Sequence, residues 1–390
     1  MNVGNRIRQA RVSAGMSVQN VSATVGVSRN AIYKWERGED VPRQSIIIKL
    51  ARLFEVDTDF FFREVHVTMC TPAYRRKALL AKKAQDCVEA RIALELEKQL
   101  FVDSLFAERE FPQFSAGSYR VGSLPDVESA ADQLRTSWGL GLDPIGSVIS
   151  AVEDHGVRVV MIDGVEGFDG FSCFANGSMP VIAIPAGMPG DRQRFTLAHE
   201  LGHMVLGTAP EVDEEKAAHR FAGAFLAPRK AVVSELGPRR SRLDIDELAI
   251  LKRSYGMSMQ AWARRAFDLG IIQREAYKSL FRTFSARGWR REEPGPAVPE
   301  EWPTRTQLLA RQAVAEGLLT PVAADRLLGR VLPSIPEVAE DQLAAQAAQA
   351  AAWYRSDPDT DDWIRAELGD LDDSTEEYQH QEEPGLAGDA

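Results

Sequence analysis

Apolar and polar positions alternate with different periods along this chain, and the changes of period divide it. In the first 64 residues, apolar side chains recur at helical spacing in four short blocks: Asn5 to Ala14, Val18 to Val25, Ser28 to Arg37 and Arg43 to Phe54. Gly15, Gly26 and Gly38 separate the blocks, and Pro42 precedes the fourth. This rhythm predicts a small all-α bundle with a helix-turn-helix inside it. Ser17 and Ser28 suit N-caps, Gly26-Val27-Ser28 suits a tight turn, and Ile7, Val21, Val25, Val27, Ile32, Trp35, Ile47, Leu50 and Leu53 are the predicted core. From Tyr74 to Arg109 breakers are few, and Leu79, Val88, Ile92, Leu96, Leu100 and Leu105 keep helical spacing. A long helix or a helical pair is expected there, its stripe serving either as a dimer seam or as a face against the next domain.

After a linker at Phe111-Pro112 and Ser115 to Pro125, the pattern turns β-branched. His155 to Ile162, Gly170 to Phe174 and Val181 to Ile184 are bounded by Gly and Pro and read as strands of a small sheet. Val181 to Ile184 is open between a core strand and an edge strand able to pair with an extended peptide. Helical spacing returns from Arg194 to Leu206, closed by Gly207 and Pro210, and again in Glu214 to Leu226, Ile245 to Tyr255, Met259 to Leu269 and Gln273 to Ser285. Beyond Arg291 come a Pro/Glu-rich linker, a helical patch from Thr306 to Leu332, an alanine-rich stretch and an acidic end. The predicted class is α+β multidomain: a helix-turn-helix bundle at 1–64, a helical connector and linker at 65–125, a sheet-plus-helix domain at 126–288, a linker and helical extension at 289–356, and a disordered tail at 357–390.

Within that pattern, His199-Glu200-Leu201-Gly202-His203 carries chemistry. At about 100° per residue, helix positions i and i+4 lie only about 40° apart, so His199 and His203 can grip one metal from the same face. Glu200 is offset, missing the metal but reaching a water beside it, as a general base must. Chance alone produces H-E-x-x-H roughly once in a hundred chains of this composition. The context therefore matters. A catalytic zinc needs a third protein ligand, and Glu214-Glu215-Lys216-Ala217-Ala218-His219 opens the following helix. Glu215 ranks first, then His219, then Glu214. Ala218 and Ala222 are small enough for the two helices to approach closely. A donor to the tetrahedral oxyanion is also expected; Tyr255 and His155 have suitable side chains, with ordinary packing or solvent exposure as the competing reading.

Arg194 to His203, followed by Glu215-x-x-Ala218-His219-x-Phe221-Ala222 and Leu226-Ala227-Pro228, resembles the ImmA/IrrE metallopeptidases. Members carry H-E-x-x-H on one helix and E-x-x-A-N-x-F-A ending in L-L-M-P on the next. The resemblance implies a zincin-like fold, with Glu215 as third zinc ligand beside His199 and His203 and with Glu200 as catalytic base. This chain departs at His219, where Asn is common, and at Ala227, where Met is common. His219 and Glu214 therefore stay as outer-sphere groups or alternative ligands. The implied cofactor is one Zn2+ per chain, with another divalent metal such as Mn2+ compatible. Val27 to Gly38, ending in Trp35-Glu36-Arg37-Gly38, resembles the Xre/Cro/C1 helix-turn-helix class, departing at Val21-Ser22 where Leu-Ala is usual. By that resemblance Ser28, Arg29, Asn30, Tyr33 and Lys34 face base edges and phosphates of double-stranded DNA.

Charge refines the picture. Residues 1–64 hold ten Lys/Arg against seven Asp/Glu, a net of +3, and residues 337–390 hold two against sixteen, a net of −14, out of −11 for the chain. The overall acidity thus sits in the tail and does not oppose DNA binding. A net of +3 is modest, so tight binding calls for a homodimer or for added basic surface such as Arg75-Arg76-Lys77 and Lys82-Lys83. No apolar run reaches membrane length and the chain opens on the DNA-binding pattern, which predicts a cytoplasmic protein with no membrane partner. Cys70, Cys87 and Cys173 form no metal or disulfide framework. The expected function is a DNA-binding transcriptional regulator with zinc-dependent endopeptidase activity, and the resemblance implies a repressor protein as substrate in a stress or mobile-element response. The alternative is a non-catalytic repressor or antitoxin that uses the peptidase fold as a sensor or interaction platform.

Overall fold

The structure is a computed structural model that describes residues 3–63, 67–68, 81–106, 108–114, 117–290 and 292–328. Helices α1 (Val3–Ser13), α2 (Val18–Val25), α3 (Arg29–Glu36) and α4 (Gln44–Phe54), with a 3₁₀ turn at Thr58–Phe62, form the N-terminal bundle. Both serines cap as expected: Ser17 Oγ accepts from the Asn20 amide at 3.1 Å and Ser28 Oγ from the Ala31 amide at 3.2 Å. The predicted core residues are buried, except Val27 and Leu53, which are partly buried at its rim.

The connector is α5 (Lys82–Ser104); residues 74–80 of the expected helix, with Leu79 and Arg75-Arg76-Lys77, lie outside the described residues, as do Cys70 and the boundary at 64/65. Val88, Ile92, Ala93 and Leu96 on α5 pack against the sheet of the following domain. This decides what the stripe does: it covers the sheet. The other side of α5 holds the N-terminal bundle. Arg6, almost fully buried on α1, donates to Glu97 at 2.5 Å and to the Arg63 carbonyl at 2.9 Å, while Arg91 bridges the carbonyls of Ser13 and Asp163.

The second domain runs β1 (Tyr119–Val121), α6 (Leu124–Ser137), α7 (Val148–Glu153), β2 (Arg158–Ile162), β3 (Phe171–Ala175), β4 (Met179–Pro185), α8 (Gly190–Val205), β5 (Leu206–Thr208), α9 (Glu214–Leu226), α10 (Arg229–Leu236), α11 (Ile245–Tyr255), α12 (Met259–Asp268) and α13 (Arg274–Ala286). The strand order is β2-β4-β3, with β4 parallel to β2 and antiparallel to β3. Alternation assigns the two faces: Val181 and Ala183 meet α5, and Ile182 and Ile184 meet α8. With both faces covered, the strands read as continuous apolar runs. Val181 to Ile184 is therefore the central strand, and the edge beside α8 belongs to β3.

Three further expectations are corrected. The helix with the two histidines stops at Val205, and Gly207 continues as strand β5, paired with Arg120 of β1; the linker assigned to 115–125 accordingly contains β1 and the start of α6. Helices α7 and α10, of six and eight residues, are too short for a periodic signal to stand out. The Pro/Glu segment after residue 291 is not a free linker. Glu301 bonds Ser147 and the Ile149 amide at the start of α7 and pairs with the buried Arg194; Glu293 takes Lys252 at 3.1 Å and the amides of Met259 and Gln260. The chain continues as α14 (Arg305–Ala315), packed on α5 through Leu309 and Ala310, and α15 (Pro321–Leu328); the rest of the expected helical patch, the alanine-rich stretch and the acidic tail lie outside the described residues.

Candidate metal centre and nucleic-acid interface

Helices α8 and α9 approach closely because the residues at their crossing are small. A Cβ at Gly202 would stand 3.0 Å from the Phe221 ring and 3.3 Å from the Ala218 Cα, so only glycine fits without a shift. Asp213 caps α9, accepting from the Glu215 and Lys216 amides at 3.1 Å each, which fixes the first turn where Glu215 stands. The far end of α9 is held by buried guanidinium groups: Arg135 donates to the Phe225 carbonyl at 2.6 Å and Arg265 to that of Ala227 at 2.9 Å. Arg265 also forms a two-bond fork on Glu128 at 2.6 Å per bond, and Arg220 on α9 reaches the same carboxylate. Burial opposes ionisation of Glu128, yet the two guanidinium groups prevail and hold its carboxyl below the usual range.

This scaffold brings His199, His203 and Glu215 together. The two Nε2 atoms are 3.0 Å apart, and Glu215 oxygens stand 3.5 Å from His199 Nε2 and 3.6 Å from His203 Nε2. Ligand atoms bonded at about 2.0–2.2 Å to a tetrahedral zinc lie about 3.3–3.6 Å from one another. The donor set, two imidazoles and a carboxylate, fits such an ion; both Glu215 separations fall in that range, and the two Nε2 atoms stand about 0.3 Å closer than it. Among the described residues this is the one group of three found with metal-binding spacing. Glu214 is exposed and outside it. His219 is also outside, its ring 4.5 Å from the His199 ring and 5.8 Å from Phe195.

Glu200 leaves the other side of α8 and meets β3. Its Oε2 accepts the Ser172 hydroxyl at 2.7 Å. Gly170, just before the strand, comes so near that a Cβ there would sit 3.1 Å from Glu200 Oε1 and 2.8 Å from Thr196. Burial pushes the Glu200 carboxyl up to about 7, against the pull of the Ser172 hydroxyl, with the Glu215 carboxylate adding to the rise. With no metal bound, that poises it near neutrality, and the charge of a bound divalent ion would draw it lower, toward the ionised form that accepts a proton. The sequence pattern alone gives Ser172 no role. Its one signal was a hydroxyl inside an apolar strand, and its partner becomes visible only once β3 is laid beside α8.

Neither residue considered as an oxyanion donor contacts these groups. The Tyr255 hydroxyl donates to Glu235 at 3.1 Å, and burial together with Glu235 lifts it to about 12; the His155 ring stacks on Trp138 at 4.2 Å with Nδ1 against the Ala151 carbonyl. In the N-terminal bundle, Ile32 and Trp35 turn α3 inward and leave Ser28, Arg29, Asn30, Tyr33 and Lys34 exposed. Arg11 locks α3 to α1 through Glu36 at 2.5 and 2.9 Å.

Comparison with known proteins places two families along the chain. The Helix-turn-helix family matches residues 7–61, and the IrrE N-terminal-like domain family matches residues 152–267. The chain joins these two domains. Its IrrE N-terminal-like domain contains β2 to β4, both site helices and all four residues of the centre. The helix-turn-helix part is similar to the SPbeta prophage-derived uncharacterized HTH-type transcriptional regulator YonR of Bacillus subtilis (strain 168), 32% identical over 63 residues. That likeness covers 16% of this chain and 58% of the relative's length. No described helix is long and apolar enough to cross a membrane.

Proposed function

We propose that this chain is a cytoplasmic DNA-binding transcriptional regulator with zinc-dependent endopeptidase activity, and that its substrate is a repressor protein. The observation carrying the catalytic half is the triangle of 3.0, 3.5 and 3.6 Å formed by His199, His203 and Glu215 beside the half-buried Glu200. Those three residues would hold the metal, which when bound would supply Lewis acidity there, making water more acidic and polarising a carbonyl. Glu200 takes the proton of the attacking water and later passes it to the leaving amine. Ser172 fixes which Glu200 oxygen faces the substrate, and the outer edge of β3 offers main-chain groups to an extended segment. Duplex DNA is bound through Ser28, Arg29, Asn30, Tyr33 and Lys34, with bases read by the exposed side of α3.

The test uses the full chain with zinc, incubated with helix-turn-helix repressors of its own host and followed by mass spectrometry of new termini. A cut made by the native chain and absent with Glu200→Gln is the expected result. If both proteins hold zinc, bind DNA and regulate equally while every repressor stays whole, the fold serves as a sensor platform and the enzymatic reading falls.

A further inference from the structure

A second concentration of positive charge lies outside the helix-turn-helix domain. Residues 229–290, spanning α10 to α13, hold fourteen Lys/Arg against six Asp/Glu, a net of +8, compared with +3 for residues 1–64. Nine of these cations fall into two sets. Arg240, Lys252, Arg264 and Arg265 are taken up by Glu247, Glu293, Asp268 and Glu128. Arg239, Arg242, Arg274, Lys278 and Arg282 are exposed, and none forms an ion pair among the described residues.

These five lie along one stretch of surface. Leu280 and Phe284 are buried and Tyr277 stacks on Phe267 at 4.8 Å, which fixes how α13 is turned. Arg274, Lys278 and Arg282 recur every four residues and form a stripe about 12 Å long beside that buried side. Glu275, the one acid of the helix, pairs with none of them. At the front of α13, the Arg240 amide donates to the Ile271 carbonyl at 2.7 Å, holding the loop with Arg239 and Arg242 against the start of the helix.

We propose that this loop and stripe form a second contact surface for double-stranded DNA, gripping phosphates without reading bases. Exposed, unpaired cations release condensed counterions when they meet a phosphate backbone, which is the source of sequence-independent affinity. The chain already carries a helix-turn-helix domain whose own charge is modest. A membrane surface fits less well, because no large apolar side chain from 271 to 290 is exposed to enter lipid. The inference rests on the DNA-binding half of the proposed function and is independent of the metal centre.

The full chain is titrated against a 30-bp duplex of arbitrary sequence by fluorescence anisotropy at several salt concentrations. The native protein is compared with the triple variant R274Q/K278Q/R282Q and with R29A/K34A, after circular dichroism has matched their folds. The triple variant is expected to bind about tenfold or more weakly at low salt, with a salt slope shallower by about 2–3, close to 0.9 per phosphate contact. Unchanged affinity and slope would overturn the proposal, as would a native chain that ignores the duplex. Loss of binding to phosphatidylglycerol vesicles with duplex binding intact would also overturn it, assigning the stripe to lipid. Failure in the triple variant alone leaves the α3 reading standing. Duplex affinity unchanged in R29A/K34A removes that reading without touching the stripe.

Discussion

The metal centre and the DNA-reading face are built in opposite ways. At the centre, four polar side chains from two helices converge with a strand hydroxyl, half-buried or buried, each held by a neighbour. On α3 and its N-cap, five polar side chains are exposed, and Ile32 and Trp35 beneath them bear the packing. Chemistry needs groups fixed to fractions of an ångström and shielded from water, while duplex recognition needs reach and exposure. Substitutions at the first region therefore act on the chemical step, through protonation, metal or orientation. At the second they act on binding alone.

Glu200→Gln gives the sharpest break. Removing the base is expected to slow repressor cleavage by about 10²–10⁴-fold, read by gel densitometry, with zinc content and duplex affinity unchanged. Next is the buried support of α9. Arg265→Met leaves Glu128 with one fewer guanidinium and is expected to cost about 3–5 kcal/mol in denaturant unfolding. Because the folded carboxyl of Glu128 lies below its ordinary 4.5, its stabilisation is whole above that pH and fades as acid carries the pH through the lower folded value. Arg265→Met should therefore lose its excess instability in acid relative to the native chain. A pH-independent difference would place the Arg265 contribution in packing.

Ser172→Ala tests orientation at the centre. A hydrogen bond to a charged group contributes about 1.5–3 kcal/mol, so kcat should fall about ten- to hundredfold with KM little changed, and Ser172→Thr should recover most of it. A rise in KM alone would make Ser172 a substrate contact. Arg29→Ala is the mildest. It should weaken duplex binding by about 1–3 kcal/mol and leave unfolding within about 0.5 kcal/mol of native. A large stability loss there would erase the contrast between the two regions.

The same contrast explains what could be read before the fold was seen. His199, Glu200 and His203 were legible because their relation is local, set by one helix repeat, and the N-terminal bundle because Gly15, Gly26 and Gly38 punctuate it. The place of Glu215 depended on the α8–α9 crossing, which Gly202 and Ala218 only hint at. Ser172 and the strap through Glu293 and Glu301 were hidden, since their partners stand 28 or more residues away in sequence. The pair Asn176-Gly177, both with positive φ, makes the β3–β4 turn and with it the antiparallel edge. Strand β5 escaped because Gly207 reads as a helix stop whether or not a strand follows.

Zinc titration of the full chain and its single variants bears most directly on the centre. One zinc per chain should bind to the native protein and to Glu214→Ala and His219→Ala, and binding should be lost in His199→Ala, His203→Ala and Glu215→Ala. Zinc kept by Glu215→Ala and lost by His219→Ala would contradict the three-residue centre and transfer the third bond to His219.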